Sequence, residues 1–339
     1  MKLALDAMGG DYAPGNPVAG LVLALSEYKD FTVTLVGDEE KVRAELAKHD
    51  VSAFSDRISF HHASQVVDMC DSGLDSVRRK KDSSISRAVD LVKAGTADAV
   101  VSAGHTGALV AAATIKLRTL PGIHRAGLAV VIPTQARGFL LLDAGATIDP
   151  SPEAIAGYAV MGTIYAREIL GRKDPKVGLM SNGTEAGKGN EFSKSCYQLL
   201  EKTPAINFAG NVEGHGLFHD PVDVVVCDGF IGNIVLKTVE GLAKSFFSWL
   251  KSEFVKSPVR MAGAWLSKGA FASIRKQTST DEYGGSPLLG VNGICIKAHG
   301  NSSPLAIKNA IRVAREITAQ KVNERIVEAI TSHEEIAAH

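Results

Sequence analysis

Val177-Gly178-Leu179-Met180-Ser181-Asn182-Gly183-Thr184-Glu185-Ala186-Gly187-Lys188-Gly189-Asn190-Glu191 passes from a short apolar run, through a glycine-rich turn holding one lysine, into a helix start. Glycines bring backbone N–H groups up to a small oxyanion without obstruction, and Lys188 adds positive charge beside them. Two readings are open: a phosphate-type anion site, or an ordinary strand-to-helix turn. A Walker A loop is disfavoured, because only three residues separate Gly183 from Gly187 and Gly189 stands where a hydroxyl residue would hold Mg²⁺. A dinucleotide fingerprint is also disfavoured, since Gly187-Lys188-Gly189-Asn190-Glu191-Phe192 lacks its third glycine.

The same strand-turn-helix order recurs outward from this stretch. Residues 3–5 read as a buried strand running into Asp6-Ala7-Met8-Gly9-Gly10-Asp11. Residues 31–36 read as a strand, Asp38 as the N-cap of a helix to about residue 48, and 58–61 as a weaker strand. A strand at 99–102 precedes Ala103-Gly104-His105-Thr106-Gly107 and a helix over 108–117. Strands at 128–132 and 139–142 lead to Asp143-Ala144-Gly145-Ala146-Thr147, and Pro152 opens a helix reaching about residue 170. Residues 208–214 read as a polar turn, and a strand at 223–227 ends in Asp228-Gly229-Phe230-Ile231-Gly232-Asn233 before a long helix. Such alternation predicts an α/β fold, three-layer αβα, with a largely parallel sheet whose strand-end loops converge on one crevice. Convergence favours the anion site over the plain turn.

Composition narrows the class. In 339 residues, 45% hydrophobic with 33 glycines, there is enough apolar material for a large core, as in α/β enzymes. Basic and acidic residues balance at 37 each, so no overall field points to nucleic acid. The four cysteines, Cys70, Cys196, Cys227 and Cys295, are scattered without a C-x-x-C pair, which favours reduced thiols and disfavours zinc. His215 and His219 lie near Glu213, but glycines flank His215 and disfavour a helix that would present both to one metal. The start, Lys2-Leu3-Ala4-Leu5-Asp6, is too short an apolar run for a signal peptide, and no stretch of about eighteen apolar residues occurs. A cytoplasmic protein is expected.

Two charged segments stand apart. Arg78-Arg79-Lys80-Lys81 precedes Asp82-Ser83-Ser84, which caps a helix starting near Ile85; such a run is mostly a solvated face from which one side chain can reach an anion. Residues 242–276 hold both tryptophans, Trp249 and Trp265, and seven basic residues against one acidic, Glu253. Their spacing predicts two amphipathic helices broken near Pro258, suited to a core or dimer interface, a membrane surface or an acidic partner. Further strands are expected around Tyr283-Gly284-Gly285 to Val291 and over 294–297, then a helix to about residue 327 after His299-Gly300-Asn301. The organisation expected is a single α/β catalytic domain over 1–330 with the hairpin inserted at 242–276, and a poorly ordered tail over 331–339.

Taken together, the loops at Asp6–Asp11, Lys80–Ser84, Ser102–Ala108, Gly183–Glu191, Gly210–Gly214, Asp228–Asn233 and Tyr283–Gly285 resemble, in order, those of the phosphate acyltransferases of bacterial phospholipid synthesis. The resemblance spans about residues 2–320. It implies transfer of a long-chain fatty acyl group from acyl carrier protein to inorganic phosphate, giving acyl phosphate for a membrane glycerol 3-phosphate acyltransferase. It also implies a homodimer, a fold similar to isocitrate and isopropylmalate dehydrogenases and phosphotransacetylases, no metal or other cofactor, and peripheral association with the inner face of the cell membrane. Three departures stand out: His105 replaces a usual Asn, Thr147 another Asn, and Arg125-Ala126-Gly127 a usual Arg-Pro-Ala.

Under this reading Lys188 and Asn233 stabilise the tetrahedral oxyanion, and His299 orients or protonates groups. Phosphate and substrate contacts are expected from Asp6, Gly9, Gly10, Asp11, Lys81, Ser83, Gly104, His105, Thr106, Gly107, Asp143, Gly183, Thr184, Glu185, Asn211, Glu213 and Asp228. Trp249, Trp265, Leu266 and Lys268 are expected to meet the membrane or the carrier protein. An NAD(P)-dependent decarboxylating dehydrogenase of the same implied fold and a non-catalytic anion-binding module are the competing readings.

Overall fold

The computed structural model describes residues 1–68, 71–219, 221–278 and 284–337. Among these, the strands form two sheets where the local pattern predicts one. In the seven-stranded sheet, β1 (Lys2–Asp6), β2 (Thr32–Gly37), β3 (Ile58–His62) and β4 (Ala99–Ser102) are joined by β5 (Gly127–Leu128), β11 (Ser286–Leu289) and β12 (Ile294–Lys297), in the order β3-β2-β1-β4-β12-β11-β5. The five-stranded sheet contains β6 (Val130–Ile132), β7 (Phe139–Leu142), β8 (Lys176–Ser181), β9 (Asn207–Glu213) and β10 (Val224–Val226), in the order β6-β7-β10-β8-β9. Pairing is parallel except where β11 meets β12 and β5, and where β6 meets β7.

Both sheets are therefore mostly parallel, and their inner strands are continuous apolar runs because helices cover both faces. Helices α1 (Gly15–Glu27), α2 (Glu39–Leu46), α3 (Gly73–Arg79), α4 (Ser84–Lys93) and α5 (Thr106–Leu117) accompany the first sheet, and α6 (Pro152–Glu168) and α7 (Glu191–Glu201) the second. The chain passes between sheets at Ala129: Leu128 pairs with β11, Ala129 N donates to Pro287 O at 2.9 Å, and Val130 pairs with β7. Periodicity over 128–132 reveals an extended segment but not its change of partner. The sheets share a core, in which Leu3, Leu5 and Val101 of the first join Leu140, Leu142 and Val177 of the second around Tyr158 and Ile164 of α6.

Residues 208–214, expected as a turn, lie mostly in edge strand β9. Its register with β8 shifts between Val177 and Leu179, and Gly210 takes a φ of 92°. An irregular edge strand carries polar residues and glycine where an inner strand does not, so its sequence reads as a turn.

The region of the expected two helices holds three: α8 (Gly229–Phe254), α9 (Pro258–Leu266) and α10 (Lys268–Thr278). Ser257 caps α9, accepting from Arg260 N, and Pro258 follows at the first helical position. Edge-on stacking of Phe254 and Phe271, centroids 5.4 Å apart, and the Arg260–Glu253 pair at 2.8 Å fold α9 and α10 back on the end of α8. Their outer surface is apolar: Trp249, Trp265 and Leu266 are 62%, 75% and 77% exposed, and Lys268 is exposed beside them. Among the described residues no helix is long and apolar enough to cross a membrane. The chain closes with α11 (Pro304–Ala319) and α12 (Val322–Ala337), separated at Lys321 with φ 51°. Helix thus continues into the stretch expected to be poorly ordered.

Candidate active site

Two buried carboxylates organise the loops around which the site is built. Asp6, ending β1, accepts from Ser102 Oγ at 2.6 Å and from Met8 N at 3.2 Å. Burial pushes its carboxyl pKa up, against the Ser102 hydrogen bond. A Cβ on Gly9 would come within 2.5 Å of Asp6 Oδ2 and 2.6 Å of Gly104 N. One on Gly10, at φ 102°, would come within 2.8 Å of Gly300 O, to which Asp11 N donates at 2.8 Å. These glycines let three strand ends pack on one another.

Asp143 plays the corresponding part beyond β7. Fully buried, it accepts backbone N–H groups from Leu128 and Gly145 at 2.9 Å each, Ala146 at 2.9 Å and Thr147 at 2.7 Å. Burial raises its pKa against the pull of those donors. Asp228 caps α8 by accepting from Ile231 N at 2.8 Å, and a Cβ on Gly232 would come within 1.8 Å of Asp143 O. Helix α8 is thereby seated on the Asp143 loop, with Asn233 beside Gly145.

Between the two frameworks lies a cleft of about 280 Å³, lined by Thr106, Gly107, Gly145, Asn233, Lys237, Lys297 and His299 among others. Thr106 and Gly107 open α5, so the positive end of that helix faces the cleft. His105 stands just before them and caps the helix: its Nδ1 accepts from Ala108 N at 3.1 Å. An imidazole nitrogen here supplies the acceptor that a capping Asn or Asp side chain supplies at other helix starts.

Charge in the cleft is mostly positive. Lys297, ending β12, is only 9% exposed and donates to the Ala298 carbonyl. Burial, followed by the charge of Lys237, pushes its amine pKa down to about 8, against the opposing pull of Asp6 and Asp11. Lys237 Nζ lies 2.9 Å from Glu240 Oε2, and His299 Nε2 lies 3.2 Å from Glu240 Oε1. The second contact is close enough for an ion pair but misaligned for a hydrogen bond. Burial works against the Glu240 carboxylate, but its His299 and Lys237 neighbours prevail and hold its pKa at about 2.

Of the residues expected at the site, the structure brings together Thr106, Gly107, Asn233 and His299. Lys188 does not line this cleft. It is exposed on the β8–α7 loop with Thr184 and Glu185, and its stem lies over buried Gly183, where an added Cβ would meet Lys188 Cγ at 2.7 Å. Asn211 Nδ2 braces that loop by donating to Glu185 O at 2.8 Å, while Glu213 Oε1 lies 3.0 Å from His215 Nδ1. Lys81 is exposed, whereas Lys80 pairs with Asp71 at 2.7 Å. Ser83 is buried as the cap of α4, accepting from Ser86 N. Asp6, Gly9, Gly10, Gly104, Asp143 and Asp228 hold together the loops that frame the cleft. Cys196, Cys227 and Cys295 are free and buried, and burial drives their thiol pKa values up. Cys70 and Tyr283 lie outside the described residues.

Sequence reasoning missed Lys237 and Lys297. The available signals were a lysine ending the apolar run Ile294-Cys295-Ile296 directly before His299, and a second lysine one helical turn after Asn233.

A family model described as "Fatty acid synthesis protein" matches residues 1–325. A phosphate acyltransferase of Akkermansia muciniphila is 49% identical over 334 residues, covering 97% of this chain and 95% of its own. Another, from Geobacter sp. strain M21, is 50% identical over 330 residues, covering 97% and 93%. Among solved structures, a phosphotransacetylase from Streptococcus pyogenes superposes with a TM-score of 0.60 at 19% identity, over 96% of this chain and 94% of that one. The EutD phosphotransacetylase from Staphylococcus aureus gives 0.58 at 17% identity, over 95% and 94%. These two share the fold; the sequence relatives and the family model go further, and the chain belongs to the phosphate acyltransferase family.

Proposed function

We propose that the enzyme transfers a long-chain acyl group from the thioester of acyl carrier protein to inorganic phosphate, and that the acyl phosphate feeds phospholipid synthesis. The observation that carries this reading is Lys297, a buried amine beside Lys237 and His299 at the N-terminus of α5. A buried cation next to another cation is costly, and a bound phosphate relieves both. A phosphate oxygen attacks the thioester carbonyl, and the C–O bond forms as the carbonyl electrons move to oxygen. Asn233 and Lys237 stabilise that oxyanion. Collapse breaks the C–S bond, the pair leaves on sulfur, and His299, oriented by Glu240, passes to the sulfur the proton given up by the attacking hydrogen phosphate, leaving carrier thiol and acyl phosphate. Lys188 has no part in this scheme because it lies outside the cleft.

The exposed apolar and basic surface of α8 to α10, with Trp249, Trp265, Leu266 and Lys268, supports peripheral contact with an anionic membrane surface or the acidic carrier protein. A homodimer acting at the inner face of the cell membrane, passing product to a membrane acyltransferase, completes the proposal. Incubation with palmitoyl-acyl carrier protein and phosphate, followed by hydroxylamine trapping, tests it: phosphate-dependent hydroxamate is expected. Its absence, or reduction of NAD⁺ or NADP⁺ with a 2-hydroxy acid, overturns it.

A further inference from the structure

A second space shares helix α8 with the polar cleft and differs from it in charge. A groove of about 710 Å³ runs along α8, with Ile234, Thr238, Ala243 and Phe247 on one wall and Pro133 and Leu217 on the opposite side. No charged residue lines it. Its volume falls within the roughly 300–1,000 Å³ of small-molecule sites, and its lining suits hydrocarbon rather than a phosphate, a nucleotide or an acidic protein surface.

The two spaces share one helix in a fixed register. Asn233 and Lys237 line the cleft, and the residue after each, Ile234 and Thr238, lines the groove. From Ile234 to Phe247 the helical rise gives a length of about 20 Å, leading away from the reacting groups. We infer that this groove binds the hydrocarbon chain of the acyl donor, with the carbonyl end at Asn233 and the methyl end toward Phe247. The identification rests on the proposed acyl transfer. It favours a chain over a second protein copy because the groove begins at the residue after Asn233 and follows a single helix away from the reactive cleft.

The register supplies a graded test. Thr238→Trp obstructs the groove near the cleft and Ala243→Trp farther along, so the longest acyl chain accepted should fall in the order wild type, Ala243→Trp, Thr238→Trp. With carrier-protein thioesters from butyryl to palmitoyl and hydroxylamine trapping, the palmitoyl-to-butyryl ratio of kcat/KM should drop at least tenfold in Ala243→Trp and further in Thr238→Trp. Loss of each methylene contact weakens binding about fourfold at most, so a stepped profile is resolvable. Equal losses for all donors, or an unchanged ratio in both variants, overturn the assignment. Binding of the fluorescent fatty acid cis-parinaric acid reads the groove independently of turnover: it should saturate on wild type and weaken at least tenfold in Ala243→Trp, with Phe247→Ala as a folded control that widens the groove. Wild type that binds the probe but makes no hydroxamate sinks the acyl-transfer reading and spares the groove. Equal probe affinity in wild type and Ala243→Trp sinks the groove. Dissociation of an oligomer by Ala243→Trp with an unchanged chain-length profile identifies a protein interface instead and also overturns it.

Discussion

Lys237 and Lys297 bring two amines into one cleft from different sheets, the first on α8 after β10 and the second at the end of β12. Burial and the charge of Lys237 hold the Lys297 amine at about 8 instead of 10.5. Phosphate binding should reverse this by favouring the charged form. Phosphate affinity, measured by calorimetry, should therefore fall as pH rises through about 8, with proton uptake on binding in that range. Replacement Lys297→Met should remove the pH dependence and weaken binding about 10- to 100-fold, the equivalent of ~1.5–3 kcal/mol for a charged hydrogen bond.

The same shift bears on stability in the absence of phosphate. Between about 8 and 10.5 the unfolded chain keeps a proton on Lys297 that the folded chain has lost. Stability from this group therefore rises with pH across that window, and its penalty is fully present below it. Melting temperatures without phosphate should show this rise in the wild type. The rise should be reduced in Lys297→Met, which should also melt higher than wild type at pH 7; a lower melting point would remove Lys297 as a source of strain.

Two lysines can be separated by turnover. Lys188→Ala should retain most of the activity because that residue lies outside the cleft, whereas Lys297→Ala should lower kcat/KM for phosphate about 10- to 100-fold. The opposite ranking would return the phosphate to the Gly183–Gly189 loop.

His105 is a cap before it is anything else. His105→Ala should cost about 1 kcal/mol in chemical denaturation, and His105→Asn should restore that loss, since either side chain presents an acceptor to Ala108 N. Loss of stability in the Asn variant equal to that in Ala would show that the imidazole contributes by packing instead.

The apolar and basic surface of α9 and α10 predicts binding to anionic vesicles that weakens with salt. Trp265→Asp should reduce it at least tenfold without altering turnover of a soluble donor. Flotation that is insensitive to both salt and substitution would count against the membrane assignment.

Buried parallel strands were the most legible parts of the chain: 99–102 and 139–142 are continuous apolar runs, and their bounds coincide with β4 and β7. Helix α5 begins two residues before its expected start because a histidine cap is not among the usual side chains at that position. The division into two sheets was hidden, since strand pairing at Leu128 and Val130 depends on β11 and β7, distant in sequence. At the site, Asn233, His299, Thr106 and Gly107 were legible as polar or glycine residues near strand ends. Lys297 was not, because a lysine after apolar residues normally marks where a strand leaves the core, and Lys237 reads as an ordinary solvated helix position. Gly9 and Gly10 were recognised as special, but local sequence does not show that each also lies against a neighbouring loop, Gly9 on Gly104 and Gly10 on Gly300.

The passage of the chain from β5 to β6 has a mechanical meaning as well as a topological one. Ala129 connects a strand held by β11 to one held by β7. Ala129 N also donates to Pro287 O, so the connecting residue is itself held by the first sheet. One covalent step thus ties the strands behind Lys297 to those behind Asp143, and the two walls of the cleft are joined through the backbone as well as through the shared core.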